Sequence, residues 1–504
     1  MAQSIQETER KYAAPAADDI SWLTELAGVG PVVSLADRGI HELDAVYYDT
    51  EDLRLTSGGA SLRRRTGGTD EGWHLKLPLS GDSREEVRLP LSEDVPDELG
   101  ELTLSRTRGA PLRPVVRIRS TRSLRDLLDA EGVAVAELSL DSVRADSRLV
   151  PGLHAMWTEM EVELAEGGDP KLLTRIEKVL TKNGIERASS PSKVARALQE
   201  TTPAPDGETG AGIEPGSAGA HVQAYVERLV RALSDLDPAV RRDRPDAVHK
   251  MRTTIRRLRS CLRSYRSVLD REVTDPVRAE LKWLAGELAL ERDHEVLRDR
   301  LTAGVKELPG EIVLGPVSAR LQAWDAAEQA EARRRTLAAL ASPRYLELLE
   351  SLTRLREDPP LRAKASGRPE KVLAKAIGKE HVRLRRRMDR ALALATGSER
   401  DAAIHHARKT AKRVRYAAEA ARPALGKPAK RLGKRMKNVQ QISGDHHDGV
   451  VARDLLRHLA IAAHAAGEPG FTWGVLYGEE KATGEVRARQ LPEAWERARK
   501  ANLA

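Results

Sequence analysis

Glu7, Glu9 and Lys11 occupy every second position of "IQETERKY", residues 5–12. On a β-strand alternate side chains share a face, so this spacing sets two carboxylates and an ammonium group side by side. The pattern recurs along the first 200 residues. Arg63 pairs with Arg65 against Leu62, and His74 with Lys76 against Trp73, Leu75 and Leu77. Arg117 pairs with Arg119 against Val116 and Ile118. Glu137 shares a face with Asp141 against Leu138 and Leu140, and Glu159, Glu161 and Glu163 oppose Met160, Val162 and Leu164. An antiparallel sheet with one face in water produces such alternation. In a closed barrel the charged faces converge on a lumen instead, where charges must be paired or bound to ions. A lumen with a basic sector and an acidic sector suits a chain of phosphates and the divalent metal that neutralises it. Arg and Lys grip phosphate oxygens, and clustered carboxylates hold hard ions such as Mg²⁺ or Mn²⁺.

A second chemistry repeats later in the chain. "VHKMRTTIRRLR" sets His249, Arg252, Arg256, Arg257 and Arg259 at the same spacings as His405, Arg408, Lys412, Arg413 and Arg415 in "IHHARKTAKRVR". Downstream, Asp293 of "LERDHEVLRDRL" corresponds to Asp448 of "DHHDGVVARDLL" at nearly the same offset, which indicates one internal duplication and a two-fold, not a solenoid. On a helix, the residues at +0, +3, +7 and +10 form one stripe, here His followed by bases mostly without an acidic partner at i+4. Such a row is tolerated where an anion relieves it. The parallel stripes Met251, Ile255, Leu258, Leu262 and Ala407, Ala411, Val414, Ala418 are expected to face the core. The histidines lack a second ligand at i+4, so a role toward phosphate or a structural hydrogen bond is favoured over metal. "DHHD" at Asp445–Asp448 reads as a helix-entry segment.

The elements that must position these residues divide at "TTPAPDGETGAGIEPGSAG", a Pro, Gly, Ser and Thr-rich stretch read as a flexible linker over 201–219. Period-two segments precede it (domain 1–200), and Ala, Leu, Arg and Glu-rich helical segments follow (domain 220–504). Charge divides there too. Residues 1–205 carry 26 Lys+Arg against 35 Asp+Glu, and the remainder carries 58 against 41. The second part is therefore expected to meet a polyanion. With 3% aromatic residues and one Phe, it lacks the stacking platforms that hold single-stranded bases, so nucleic acid is disfavoured. No apolar run is long enough to span a bilayer, the first residues resemble no secretory signal, and Cys261 stands alone. A cytoplasmic location is expected.

The stretches "ETERK", "YYDT", "LRRR", "WHLKLP", "REE", "RIRS", "ELSLD", "EMEVEL" and "SPSKVARAL", in this order over roughly Ser4–Gln199, resemble the CYTH, or triphosphate tunnel metalloenzyme, superfamily. The resemblance implies triphosphate binding by Lys11, Arg63, Arg65, Lys76, Arg119 and Lys193, with Arg117 as an addition. It implies a metal site from Glu7, Glu9, Glu161 and Glu163, supported by the acidic residues Glu86 and Asp141, and a catalytic set of Glu7, Glu9 and Lys11. His74 stands where the family often has Thr or Glu and is as readily a structural lumen residue. From roughly Ala220 onward the chain resembles the CHAD, or conserved histidine α-helical, domain, which implies polyphosphate binding by His249, Arg252, Arg256, Arg259, His405, Arg408, Lys412 and Arg415. The fold expected is an α+β antiparallel barrel forming a tunnel, then an all-α pair of four-helix bundles with a pseudo-two-fold repeat. The tail after Glu480 is expected to cap the bundle.

The function expected is metal-dependent hydrolysis of inorganic triphosphate or short polyphosphate in the tunnel, with polyphosphate held by the helical domain. A non-catalytic polyphosphate binder, or a triphosphatase acting on an organic or nucleoside triphosphate, is the alternative.

Overall fold

The computed structural model describes residues 3–14, 21–68, 70–79, 81–202 and 213–500. The chain forms two compact units, Met1–Glu208 and Thr209–Ala504. Much of the linker stretch, residues 203–212, lies outside the described residues. No helix among the described residues is long and apolar enough to cross a membrane.

The first unit is a closed barrel of antiparallel strands. They are β1 (Gln3–Ala13), β2 (Ser34–Asp49), β3 (Ser61–Thr66), β4 (Gly72–Pro78), β5 (Ser83–Leu89), β6 (Arg113–Leu128), β7 (Ala134–Ser147) and β8 (His154–Leu164). Their order is β1-β5-β4-β3-β2-β6-β7-β8, and β8 returns to β1 with Glu163 opposite Glu9 and Glu161 opposite Lys11. Closure leaves no sheet edge and turns every second side chain inward.

Apolar residues face mainly outward, under helices α1 (Arg54–Ser57), α2 (Asp97–Thr107) and α3 (Lys171–Lys182). Leu62, Trp73, Leu75 and Val87 meet Leu99 and Leu102 of α2, while Leu138, Met160 and Val162 meet Leu172, Leu173 and Ile176 of α3. One stretch reverses this arrangement. Val116, Ile118, Val143, Ala145 and Trp157 join Val194, Ala197 and Leu198 of helix α4 (Lys193–Thr201) in a core of their own. The inward row of β6 is therefore apolar at Val116 and Ile118, then polar at Ser120 and Arg122.

The second unit is all helical. Its first repeat comprises α5 (Ala218–Arg241), α6 (Ala247–Ser264), α7 (Arg271–Glu287), α8 (Ala289–Glu307), α9 (Val317–Ala341) and α10 (Pro343–Glu357). The second comprises α11 (Pro369–Ala393), α12 (Ser398–Ala420), α13 (Arg422–Ala465) and α14 (Phe471–Arg499). α13 takes the place of α7 plus α8, and α14 that of α9 plus α10. Pro343 at the start of α10 supplies one of the breaks that subdivide the first repeat.

The two repeats meet where α6 crosses α12: Tyr265 Oη donates to Ala417 O at 2.6 Å. Both expected apolar stripes are buried there. Two sequence expectations change. The tail is no cap, because Leu491, Trp495 and Ala498 of α14 belong to the main core. "DHHD" lies inside α13, not at a helix entry, because the helix continues through Gly444 and Gly449 on packing alone.

Candidate functional site

The barrel encloses a cavity of about 540 Å³ lined by Glu7, Glu9, Lys11, Arg63, Arg65, Lys76, Glu161, Glu163 and Lys193 among others. Strand alternation delivers all of these except Lys193, which opens α4 after Ser192 caps the helix by accepting from Ala195 N. Glu86 and Asp141 are fully buried in the wall behind the cavity. Arg117 and Arg119 are not brought to it. They point out of the barrel, where Arg117 donates to Asp44 at 2.9 Å and Arg119 to Asp146 at 2.6 Å. The apolar residues of opposite parity, Val116 and Ile118, turn inward because α4 gives them an apolar partner. Sequence reasoning missed Arg84, Arg88 and Arg122, which also line the cavity. The signal for the first two was legible: Arg84, Glu86 and Arg88 alternate in β5. Arg122 has the opposite parity to Arg119 and could not be chosen without knowing where α4 sits.

The charges sort into two groups. Lys193 Nζ lies 2.9 Å from Asp141 and 2.7 Å from both Glu159 and Glu161. Arg122 binds Asp141 through two bonds of 2.8 Å and Glu161 through one of 2.9 Å, and Lys11 also pairs with Glu161. Burial opposes the charge on Glu161, yet Lys11, Lys193 and Arg122 hold its pKa well below the ordinary 4.5. Glu161→Gln should therefore destabilise the barrel by about 3 kcal/mol, since it strips a buried partner from several cations. Denaturant melts at pH 7 would show this. The gap between the two proteins should close as pH falls below 4.5, where the unfolded carboxylate is protonated and a depressed folded pKa no longer adds stability.

The second group shares its cations unevenly: Lys76 lies 2.5 Å and Arg88 3.2 Å from Glu7, Lys11 lies 3.2 Å from Glu9, and Glu163 has none among the described residues. Glu7, Glu9 and Glu163 each offer an oxygen, all within 4.8 Å of one another. Burial raises the pKa of Glu7, and burial followed by Glu7 and Glu9 pushes Glu163 up to about 8. Glu9 is held at about 2, because Lys11 and Lys76 outweigh its burial. Glu163 makes no ion pair or hydrogen bond among the described residues. A clustered, all-oxygen set with one orphaned carboxylate fits a hard divalent cation. Glu161, expected in that set, is committed to Lys11, Arg122 and Lys193 instead.

Opposite the carboxylates stands a cationic wall. Glu86 faces Arg63 at 3.5 Å and Lys76 at 3.8 Å and pairs with Arg88; Asp70 pairs with Arg65. His74 is 1% exposed and sits behind this wall, its Nδ1 hydrogen-bonded to Glu86 at 3.0 Å. Its Nε2 donates to Asp70 O at 2.9 Å. Burial, then Arg63 and Arg65, push the imidazole down to about 4, while its contact with Glu86 works in the opposite direction.

In the helical unit the stripes of α6 and α12 come together. Lys412 has Arg408, Arg256 and Arg415 as its cationic neighbours and Asp448 as its acidic one, and forms no ion pair among the described residues. Arg252 and Arg408 do have carboxylate partners, contrary to the sequence expectation. Asp293 of α8 lies 2.9 Å from Arg252 of α6, and Asp448 of α13 3.4 Å from Arg408 of α12, each from another helix, where i+4 counting cannot find it. Arg256 donates to Thr253 Oγ1 at 2.8 Å, and Arg415 stacks 4.7 Å over Tyr416. Arg259 has Arg278 and Arg263 as charged neighbours, so the first stripe extends beyond the cluster. The rings of His405 and His447 are 4.0 Å apart, and burial followed by His447 lowers His405 to about 4. His249 is lowered by burial and then by Arg292.

Family comparison separates the chain where the fold does. The CYTH domain matches residues 6–198 and the CHAD domain residues 224–457. Two Mycobacterium tuberculosis proteins, "Uncharacterized protein Rv2226" (strain H37Rv) and "Uncharacterized protein MT2285" (strain CDC 1551), are each 38% identical over 489 residues, covering 93% of this chain and 92% of the relative. Among solved structures, "PptA from Streptomyces chartreusis" is 22% identical, covers 56% of this chain and 99% of its own, and superposes with a TM-score of 0.48, too low to carry an argument about function. Aligned with these relatives over 93% of its length and carrying both domains, the chain belongs to the family of CYTH–CHAD fusion proteins.

Proposed function

We propose that the barrel is a metal-dependent triphosphatase acting on inorganic triphosphate or short polyphosphate, and that the helical unit binds longer polyphosphate. CYTH proteins are triphosphatases or cyclases, which supports an enzyme acting on triphosphates. The observation that carries the reading is one cavity lined by both a clustered carboxylate triad, with Glu163 unpartnered among the described residues, and a cationic wall. Four or more bases alone would serve a binder. Carboxylates in an anion site repel the ligand unless a metal lies between them.

Glu7, Glu9 and Glu163 would hold Mg²⁺ or Mn²⁺, which when bound offsets phosphate charge and lowers the pKa of coordinated water. Lys11, Arg63, Arg65, Lys76, Arg122 and Lys193 would grip the phosphate oxygens and stabilise charge on the transferred group. Tyr47 and His41 are the ring-bearing residues of the cavity lining, a poor platform for a nucleobase, which favours inorganic substrates. The test is a substrate panel of inorganic triphosphate, short polyphosphate, ATP and thiamine triphosphate with each metal. Preferential cleavage of the organic compounds would sink the inorganic reading.

The helical reading rests on the cluster of Arg252, Arg256, Arg408 and Lys412. It predicts a proton linkage. Burial, then Arg408 and Arg256, lower Lys412 to about 7, and an anion beside it raises that value. Below pH 7 the amine is charged with or without ligand. Above pH 7 binding takes up as much as about one proton, and affinity falls as pH rises. Calorimetry with long-chain polyphosphate at pH 8, in two buffers of different ionisation enthalpy, should show this uptake in the parent. It should be absent in Lys412→Arg, whose guanidinium keeps its proton. Uptake of equal size in both proteins would reject Lys412 as its source.

A further inference from the structure

We propose that His74 is a positioning residue for the phosphate-gripping side chains, fastening the two acidic residues that hold Arg63, Arg65, Lys76 and Arg88 in place. The proposal rests on the triphosphatase reading of the barrel and adds a residue that does not line the cavity.

The argument starts from the backbone. β3 and β4 are joined through Gly67 and Gly68, whose φ angles of 81° and 78° lie in the left-handed region that favours glycine. Asp70 follows these glycines and pairs with Arg65. What fixes Asp70 is its carbonyl, which accepts from His74 Nε2 at 2.9 Å. The other nitrogen of the same ring is bonded to Glu86, which is 0% exposed and is the shared partner of Arg63, Lys76 and Arg88. One buried imidazole thus spans from the loop residue that pairs with Arg65 to the carboxylate that Arg63, Lys76 and Arg88 share, Lys76 and Arg88 reaching Glu7 as well.

The residue type follows from this geometry. The Asp70 carbonyl and the Glu86 carboxylate stand on opposite sides of one buried strand position, and a ring with a nitrogen at each end reaches both. Threonine offers a single hydroxyl there, and glutamate would oppose Glu86 with a second carboxylate. An apolar ring would leave a buried carbonyl and a buried carboxylate oxygen each short of a partner. None of the His74 hydrogen bonds reaches Glu9 or Glu163, so its loss should act first on how the phosphates are held.

The experiment uses the full chain and inorganic triphosphate. His74→Phe should raise KM by about 10-fold while kcat stays within about threefold, the signature of lost ground-state binding. His74→Gln retains one amide donor and should recover part of that loss. Asp70→Asn should raise KM less than His74→Phe does, and the double variant should fall short of the product of the two effects, because both act through the seat of Arg65. Melting curves confirm that each variant folds; should His74→Phe fail to fold, His74→Gln and its cycle with Asp70→Asn carry the test. An unchanged KM, a fall in kcat alone, or fully multiplicative effects would overturn the proposal.

Failure of the underlying reading is distinguishable. Calorimetry of triphosphate on a full-length chain with Arg252, Arg256, Arg408 and Lys412 changed to Ala reads the barrel whether or not it turns over. A parent that neither binds nor cleaves triphosphate there removes the triphosphatase reading and this proposal with it. A parent that binds it, beside a His74→Phe variant that binds it equally well, removes only the role of His74.

Discussion

Glu9→Gln should lower phosphate release from inorganic triphosphate by about 10²- to 10³-fold with Mg²⁺ or Mn²⁺ present. The size follows from the position of Glu9 in the carboxylate triad. Glu7 and Glu163 have raised pKa values, whereas Glu9 is held at about 2 and is ionised at any working pH. In the proposed reading it is the member that would first draw a metal in. Glutamine keeps the shape and one oxygen but removes the charge, so the fold should survive and metal affinity should fall. A phosphate-release assay over a range of metal concentrations checks both effects. Equal rates for parent and variant would dismiss this site. Arg119→Ala provides the contrast: its guanidinium is half exposed on the outer wall beside Asp146, and an exposed pair contributes about 0.5 kcal/mol or less. Activity should stay within about twofold of the parent. An effect as large as that of Glu9→Gln would mean that β6 presents its other face to the substrate.

The second large effect belongs to the helical unit. Changing Arg252, Arg256, Arg408 and Lys412 together to Ala should weaken long-chain polyphosphate binding by at least about 10²-fold, since each charge-assisted contact is worth on the order of 1.5 kcal/mol. The salt dependence is the more telling readout. Each cation that neutralises a phosphate adds roughly 0.7 to the slope of log K against log salt for a flexible strand, so the slope should flatten by about 3 units. Binding measured from low to moderate salt would give both numbers. An unchanged slope would place the polyanion elsewhere on the unit. The variant should fold, because the four side chains radiate from helices whose opposite stripes, Met251 to Leu262 and Ala407 to Ala418, carry the core.

Much of this was readable from residue order. Period-two alternation placed Glu7 with Glu9 and Lys11, Arg63 with Arg65, and Glu161 with Glu163 on shared faces, because strand geometry sends alternate side chains to the same side. The paired His and Arg stripes revealed the duplication and the helical register, because spacing on a helix is equally local. Parity says which residues share a face, but not which face is inside. Arg117 and Arg119 were misplaced because Val116 and Ile118 turn inward to meet α4, a helix more than 70 residues later in the chain. Arg122 was missed for the same reason, and "DHHD" was read as a helix start because nothing local shows that α13 runs through it.

The sequence by itself determined the two-part organisation, the strand and helix faces and the kinds of charge each face carries. These depend on neighbours a few residues apart. Tertiary structure decided the pairing of charges: Glu161 with Lys11, Arg122 and Lys193 and not with the carboxylate triad, Arg252 with Asp293, Arg408 with Asp448, and Glu86 joined to Asp70 through His74. Ion pairs act over a few ångströms of space whatever the separation along the chain, so no reading of spacing can assign them. In this protein that assignment gives Glu7 to Lys76 and Arg88 and Glu9 to Lys11, and leaves Glu163, beside them, as the carboxylate of the triad with no partner among the described residues.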